Sequence, residues 1–265
     1  YCQQQLYPLK QACQYPFSGG AMGAFSYDLG RSIEQLPNTA AKDIDFNELN
    51  IGFYDQCLVY DYQQQHWCLI SYDNIDHNNP LVNVINKRSP LLSLSDKPAF
   101  CLTSEWRNQT PKQTYLNHFE RVQDYLLSGD CYQINLTQRF EADYQGDEWQ
   151  AYKQLTQANK APFSAFIRLP NHSVLSISPE RFIQLAGDNI ETKPIKGTLP
   201  RLNDEALDVL QADKLRCSEK DRAENVMIVD LLRNDIGKVA TSGSVKVPKA
   251  LIPFLGLELI TCNPK

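Results

Sequence analysis

The spacing of apolar positions changes several times along the chain, and each change marks an element. Ile51, Phe53, Cys57, Leu58, Val59 and Tyr60, then the stretch 66–72, read as two strands joined through Asp61-Tyr62-Gln63-Gln64-Gln65. Residues 73–80 are a polar turn. Tyr115, Leu116, Phe119, Val122, Tyr125 and Leu126 recur at steps of three and four, the stripe of a half-buried helix. Thr110 or Thr114 is its expected cap and Ser128-Gly129 its expected end. From Asp130 to Phe140 the period falls to two, which predicts a strand with Cys131, Gln133, Asn135 and Thr137 on one face. That amide-rich face could line a site or simply meet water. Residues 147–160 read as a second helix. The stretches 163–169, 173–177 and 181–185 read as consecutive antiparallel strands, with a hairpin turn at Gly187-Asp188-Asn189. A last strong helix runs over 218–232. Ser218 and Asp221 resemble a capping box, and Val226, Val229 and Leu232, with Met227 and Leu231 beside them, form the buried side.

A chain of 265 residues can form one large domain or two smaller ones. A net charge of −5 with no basic block argues against nucleic-acid binding. No apolar run approaches the roughly 20 residues of a membrane span. Eight cysteines without CxxC or zinc spacing predict reduced, packed thiols and a cytoplasmic protein. The glycine-rich segment Pro16 to Gly23 fits neither GxGxxG nor GxxxxGK[ST], so a structural turn is expected there. The proline-bearing, polar stretch 85–112 is the expected linker.

The chemistry concentrates in two neighbouring segments, Ser178-Pro179-Glu180-Arg181-Phe182 and Pro194-Ile195-Lys196-Gly197-Thr198. They put a carboxyl group and a lysine at closely spaced turns. Pro194 and Pro200 stiffen the lysine segment, and Gly197 permits a turn or a close approach. A lysine held so can lose its water, the condition for an amine nucleophile or base, and Glu180 could be its acid partner. The other reading is two surface charges flanking a hairpin. On the last helix, Asp221, Arg222, Glu224, Asp230, Arg233 and Asp235 could be a solvated, salt-bridged surface. Alternatively, Glu224 meets a divalent cation and Arg233 an anion.

Together these segments resemble the chorismate-utilising enzymes. The resemblance rests on Ser128 to Leu136, Ser178 to Phe182, Pro194-Ile195-Lys196-Gly197-Thr198-Leu199-Pro200-Arg201, Asp221-Arg222-Ala223-Glu224-Asn225 and the run from Ile228 to Gly237. Pro16 to Arg31 resembles the family's glycine-rich N-terminal segment. It implies an α+β fold of two stacked antiparallel β-sheets flanked by helices. It also implies a remnant of the N-terminal domain over 1–110 and the first part of the chorismate-binding domain over 111–249. Anthranilate, isochorismate and salicylate synthases generally carry alanine where Lys196 stands. A lysine there resembles the aminodeoxychorismate synthases, in which it attacks C2 of chorismate.

By this resemblance Lys196 is the nucleophile and Glu180 the acid that protonates the departing C4 hydroxyl. Glu224 is a Mg²⁺ ligand, and Thr198 and Arg233 help to position the substrate. Ammonia comes from a glutamine amidotransferase subunit, and the product leads to p-aminobenzoate and folate. The tail 250–265 departs from the family, as a frameshift would make it, and the family's later histidine, glycine-rich loop and further glutamate are not found. The expectation is therefore a chain incomplete at both ends and inactive as it stands. Its rivals are an anthranilate synthase component and a non-catalytic remnant that binds the amidotransferase.

Overall fold

In the computed structural model, residues 14–76, 79–86, 98–247 and 260–262 are described. The stretch predicted as one strand over 51–60 is two strands, because it changes partner at Asp55. Strand β1 (Gly20–Phe25) pairs antiparallel with β2 (Leu49–Tyr54), from Gly20↔Tyr54 to Phe25↔Leu49. The glycine-rich segment expected to be a turn therefore supplies a strand. Beyond Asp55, β3 (Gln56–Asp61) pairs with β4 (His66–Ser71) in a hairpin. Asp61 closes it by accepting the Gln63 and Gln64 N–H groups at 2.8 and 3.0 Å, a side-chain mimic of a turn.

The short helix α1 (Pro80–Asn86) opens the stretch expected to be a linker, of which 87–97 lie outside the described residues. The rest of it is not featureless. It contains β5 (Cys101–Leu102) and β6 (Arg107–Asn108). Helix α2 (Lys112–Ser128) ends as expected at Gly129, whose φ of 78° needs no Cβ to be accommodated. Its start differs: Pro111 occupies the cap position, and neither threonine caps it. Proline supplies the helical φ there and gives up an N–H that would have no partner.

The strand predicted over 130–140 is reduced to β7 (Phe140–Glu141), which pairs with β6. Alternation alone makes no strand: among the described residues nothing forms a ladder with 131–139, and Tyr132, Gln133 and Asn135 are exposed. After it, β8 (Tyr144–Gln145) pairs with β5, and α3 (Glu148–Ala158) covers the second predicted helix. Before α3, the buried Asp147 accepts from Arg168 at 2.6 Å.

The three predicted strands are present as β9 (Ala165–Arg168), β10 (Ser173–Ser176) and β11 (Arg181–Ala186), but only β9 and β10 pair with each other, and β11 belongs to another sheet. Strand β11 pairs antiparallel with β12 (Asn189–Lys193), which carries β13 (Ile260–Cys262) on its other edge. The pair Ala186↔Asn189 leaves Gly187-Asp188 as a two-residue turn. Apart from β13, the tail 250–265 lies outside the described residues.

Helix α4 (Glu205–Cys217) has no counterpart in the sequence expectations. Asp204 caps it by accepting the Leu207 N–H at 3.0 Å. Ser218 caps α5 (Glu219–Gly237) by accepting the Asp221 N–H at 3.3 Å, as the capping-box pattern anticipates. The core packs Val229 and Ile236 of α5 against Ile190 of β12 and Ala240. Val226 and Leu231, expected on the buried side, are each 56% exposed. Leu231 lies about 200° around the helix from Val229, and Val226 stands one turn before the stripe meets the sheet.

The fold is thus α+β, with antiparallel strand pairs, five α-helices and a 3-10 helix (Tyr27–Ser32) among the described residues. It divides into two compact units, residues 1–152 with 167–174, and residues 153–166 with 175–265. Cys57, Cys68, Cys101, Cys131 and Cys217 are free thiols, but Cys101 and Cys217 are exposed rather than packed as expected. Ile236 is 5% exposed, so Ile236→Ala should cost about 2–4 kcal/mol, against under about 0.5 kcal/mol for exposed Leu231→Ala. Urea denaturation of the two variants checks the contrast; equal losses would contradict this core.

Candidate functional site

All five predicted site residues belong to the second unit. Strand β12 alternates buried Ile190, Thr192 and Pro194 with half-buried Glu191 and Lys193. The ladder to β11 closes at Arg181↔Lys193, and Pro194 has no N–H with which to extend it. The next amide, Ile195 N–H, donates instead to Glu180 Oε1 at 3.0 Å. Glu180 is itself held by Ser178: its N–H donates to Ser178 Oγ at 3.2 Å, and that hydroxyl donates to the Glu180 carbonyl at 3.0 Å. The acid and the lysine segment are therefore joined directly.

Lys196 is half-buried and forms no ion pair among the described residues. Gly197 follows it at φ 77°. A Cβ at Gly197 would lie 2.9 Å from Leu215 Cδ1 and 3.1 Å from Asp221 Oδ1. The turn thus rests on the last helical turn of α4 and the first of α5, and only glycine meets both demands. Its far end is held by Arg201, whose Nε lies 2.8 and 3.0 Å from the Asp208 carboxylate. The same carboxylate accepts the Leu202 N–H at 2.9 Å, and Gln211 Nε2 donates to the Pro200 carbonyl at 2.8 Å. The Arg201 guanidinium first, and the Leu202 amide second, hold the Asp208 carboxyl below its usual range.

Thr198 is exposed, two residues beyond Lys196. Glu224 lies one turn after Asp221 on nearly the same side of α5, half-exposed, with Lys220 Nζ at 4.0 Å. Arg233 is not brought to it. Nine residues further, it lies about 180° around the helix and about 13 Å along the axis, paired with Asp230 at 3.1 Å. The structure thus groups Glu180, Lys196 and Thr198 on one strand mouth and turn, against the helix that carries Glu224.

Sequence reasoning passed over three supporting side chains. Arg181 pairs with Glu191, Lys193 Nζ lies 2.8 Å from the same carboxylate, and the Arg181 guanidinium covers the Phe163 ring at 5.8 Å. Burial, then the Arg181 charge, pushes the Lys193 ammonium pKa down. The signal was available: Glu191 and Lys193 alternate with buried residues, so they share one face. Among the described residues no group of three or more His, Cys, Asp or Glu side chains is gathered as a metal cage. Glu224 offers one hard oxygen donor, which fits Mg²⁺ in the manner of sites that take one or two carboxylates plus substrate oxygens.

A family model described as chorismate binding enzyme matches residues 2–252. The chain belongs to the chorismate binding enzyme family. Within that family it is 54% identical over 241 residues to aminodeoxychorismate synthase component 1 of Salmonella typhimurium, covering 90% of this chain and 52% of that protein. It is 52% identical over 244 residues to the Escherichia coli protein of the same name, covering 90% and 52%. Anthranilate synthase component 1 of Geobacillus stearothermophilus is 31% identical over 262 residues, covering 91% and 51%. The chain thus spans about half the length of the relatives it matches. The crystal structure of anthranilate synthase component I from Streptococcus pneumoniae TIGR4 superposes with a TM-score of 0.77 at 23% identity, over 97% of this chain and 60% of that one. The chorismate binding chain therefore has that enzyme's fold. No helix among its described residues is long and apolar enough to cross a membrane.

Gly197→Ala should destabilise the unit by about 2 kcal/mol or more, because it adds a contact to an unfavourable φ. Gly129→Ala, with similar φ and open space, should cost about 1 kcal/mol. Thermal melts separate them, and equal losses would deny the packing of the turn on α4 and α5. The depressed Asp208 pKa stabilises the fold above the unfolded value near 4, and the gain disappears as pH falls through the folded value. The melting temperature of wild type should exceed that of Asp208→Asn at neutral pH and converge with it in acid; a gap that widens in acid would refute this.

Proposed function

We propose that this chain is the chorismate-binding part of an aminodeoxychorismate synthase large component, which converts chorismate and ammonia to 4-amino-4-deoxychorismate. The observation that carries the reading is Lys196 on a turn tied to Glu180 through the Ile195 N–H. The greater identity to relatives named aminodeoxychorismate synthase component 1 than to the anthranilate synthase supports it.

The chemistry follows from the placement of the two groups. The Lys196 amine attacks C2 of chorismate, both ring double bonds shift so that a C4=C5 double bond forms, and the C4–O bond breaks. Glu180 gives its proton to the leaving hydroxyl, which departs as water. The bond to Ile195 occupies Oε1, so Oε2 carries the proton toward the substrate. Ammonia then adds at C4, both double bonds return to their first positions, and the C2–N bond breaks to restore Lys196. Covalent attachment divides one difficult displacement into two easier ones. Thr198 and Arg233 would help to position the substrate, Thr198 two residues beyond the lysine and Arg233 about 13 Å along α5 from Glu224. Mg²⁺, held in part by Glu224, would neutralise the chorismate carboxylate. The ammonia source is a separate glutamine amidotransferase subunit, and the product serves p-aminobenzoate and folate synthesis after a lyase step.

With this chain extended to the full length of its relatives, chorismate and Mg²⁺ without ammonia should give, by intact mass spectrometry, an adduct of chorismate less one water. Lys196→Ala should lose it, and with ammonium present turnover should fall by roughly 100-fold or more. An adduct that survives Lys196→Ala would remove the nucleophile assignment, and anthranilate as the product would replace the whole reading.

A further inference from the structure

Strands β11 and β12 slip by one residue between Arg181 and Gln184. Arg181 stands opposite Lys193, and Gln184 stands opposite Glu191. Three steps on one strand match two on the other, so Phe182 and Ile183 together oppose Thr192, a β-bulge. Thr192 is 2% exposed, and its hydroxyl donates to the Phe182 carbonyl inside the bulge. The slip has a visible effect. Residues three apart face opposite sides of a regular strand, yet Arg181 Nη1 donates to Gln184 Oε1 here, and Arg181 and Lys193 share the Glu191 carboxylate. The extra residue decides which face of the sheet each side chain upstream of it presents. The first residue upstream of Arg181 is Glu180.

We propose that Thr192 is a positioning residue: by holding the bulge closed it aims the Glu180 carboxylate at the Ile195 N–H and so presents the acid beside Lys196. The link to turnover rests on the reading in the preceding subsection; the geometric claim does not. A valine has the shape of threonine but cannot donate to the Phe182 carbonyl, so it separates the hydroxyl from the packing.

The test uses the full chain labelled with ¹⁵N-isoleucine, in which the Ile195 amide reports its bond to Glu180 and Glu180→Gln identifies the resonance. Thr192→Val should move that resonance in the direction of Glu180→Gln and slow adduct formation on Lys196 roughly tenfold, with the chorismate concentration for half-maximal rate unchanged. Thr192→Ser, which keeps the donor, should restore both. A folded Thr192→Val protein with a wild-type Ile195 resonance, or a serine variant as impaired as valine, would overturn the proposal. Should the valine variant not fold, Thr192→Ser against Thr192→Cys supplies the same contrast between a strong and a weak donor. Adduct formation is read in the chain extended to its relatives' length; if wild type forms no adduct there, the chemical reading fails, and the Ile195 resonance alone decides the role of Thr192.

Discussion

The hydrogen bond from Ile195 N–H to Glu180 Oε1 is the join on which the site depends. It exists because Pro194 ends the ladder: a residue with no N–H cannot be paired across to β11, and the following amide needs an acceptor. Glu180 supplies one from a side chain where a regular strand would supply a backbone carbonyl. An intramolecular hydrogen bond of this kind contributes about 1 kcal/mol net. The same bond therefore stabilises the strand mouth and orients the acid.

Beyond that join, the lysine turn is supported on both sides. Gly197 rests against Leu215 and Asp221, and Arg201 with Leu202 closes on Asp208. Neither helix places a positive side chain on the lysine, and neither forms an ion pair with it among the described residues. The support is mechanical: backbone and carboxylate contacts fix the chain before and after Lys196 and leave its amine available.

Much of this was legible in the sequence because the relevant signals are local. Hairpin turns, the Gly129 stop and the Ser218 cap each depend on a few neighbouring residues, and each appears where expected. The segments around Glu180 and Lys196 stood out through their prolines and glycine. What was not legible depends on partners far along the chain. The stretch 131–139 alternates like a strand but has no described ladder, and 51–60 divides because its halves pair with different strands. Helix α4 carries Leu207, Val209 and Leu210 on exposed positions, so its apolar residues trace no single buried stripe. Motif spacing did not show that α5 carries Arg233 on the side away from Glu224, paired with Asp230.

The two-residue turn Gly187-Asp188 has a consequence for how the site comes into being. It brings Glu180 and the Lys196 segment together at the open end of one hairpin, just outside the strands that form its arms. Hairpins of this kind close in about 1–10 μs, whereas contacts between distant segments wait for longer loops to be closed. The segments that carry Glu180 and Lys196 therefore meet through local contacts rather than through closure of a long loop.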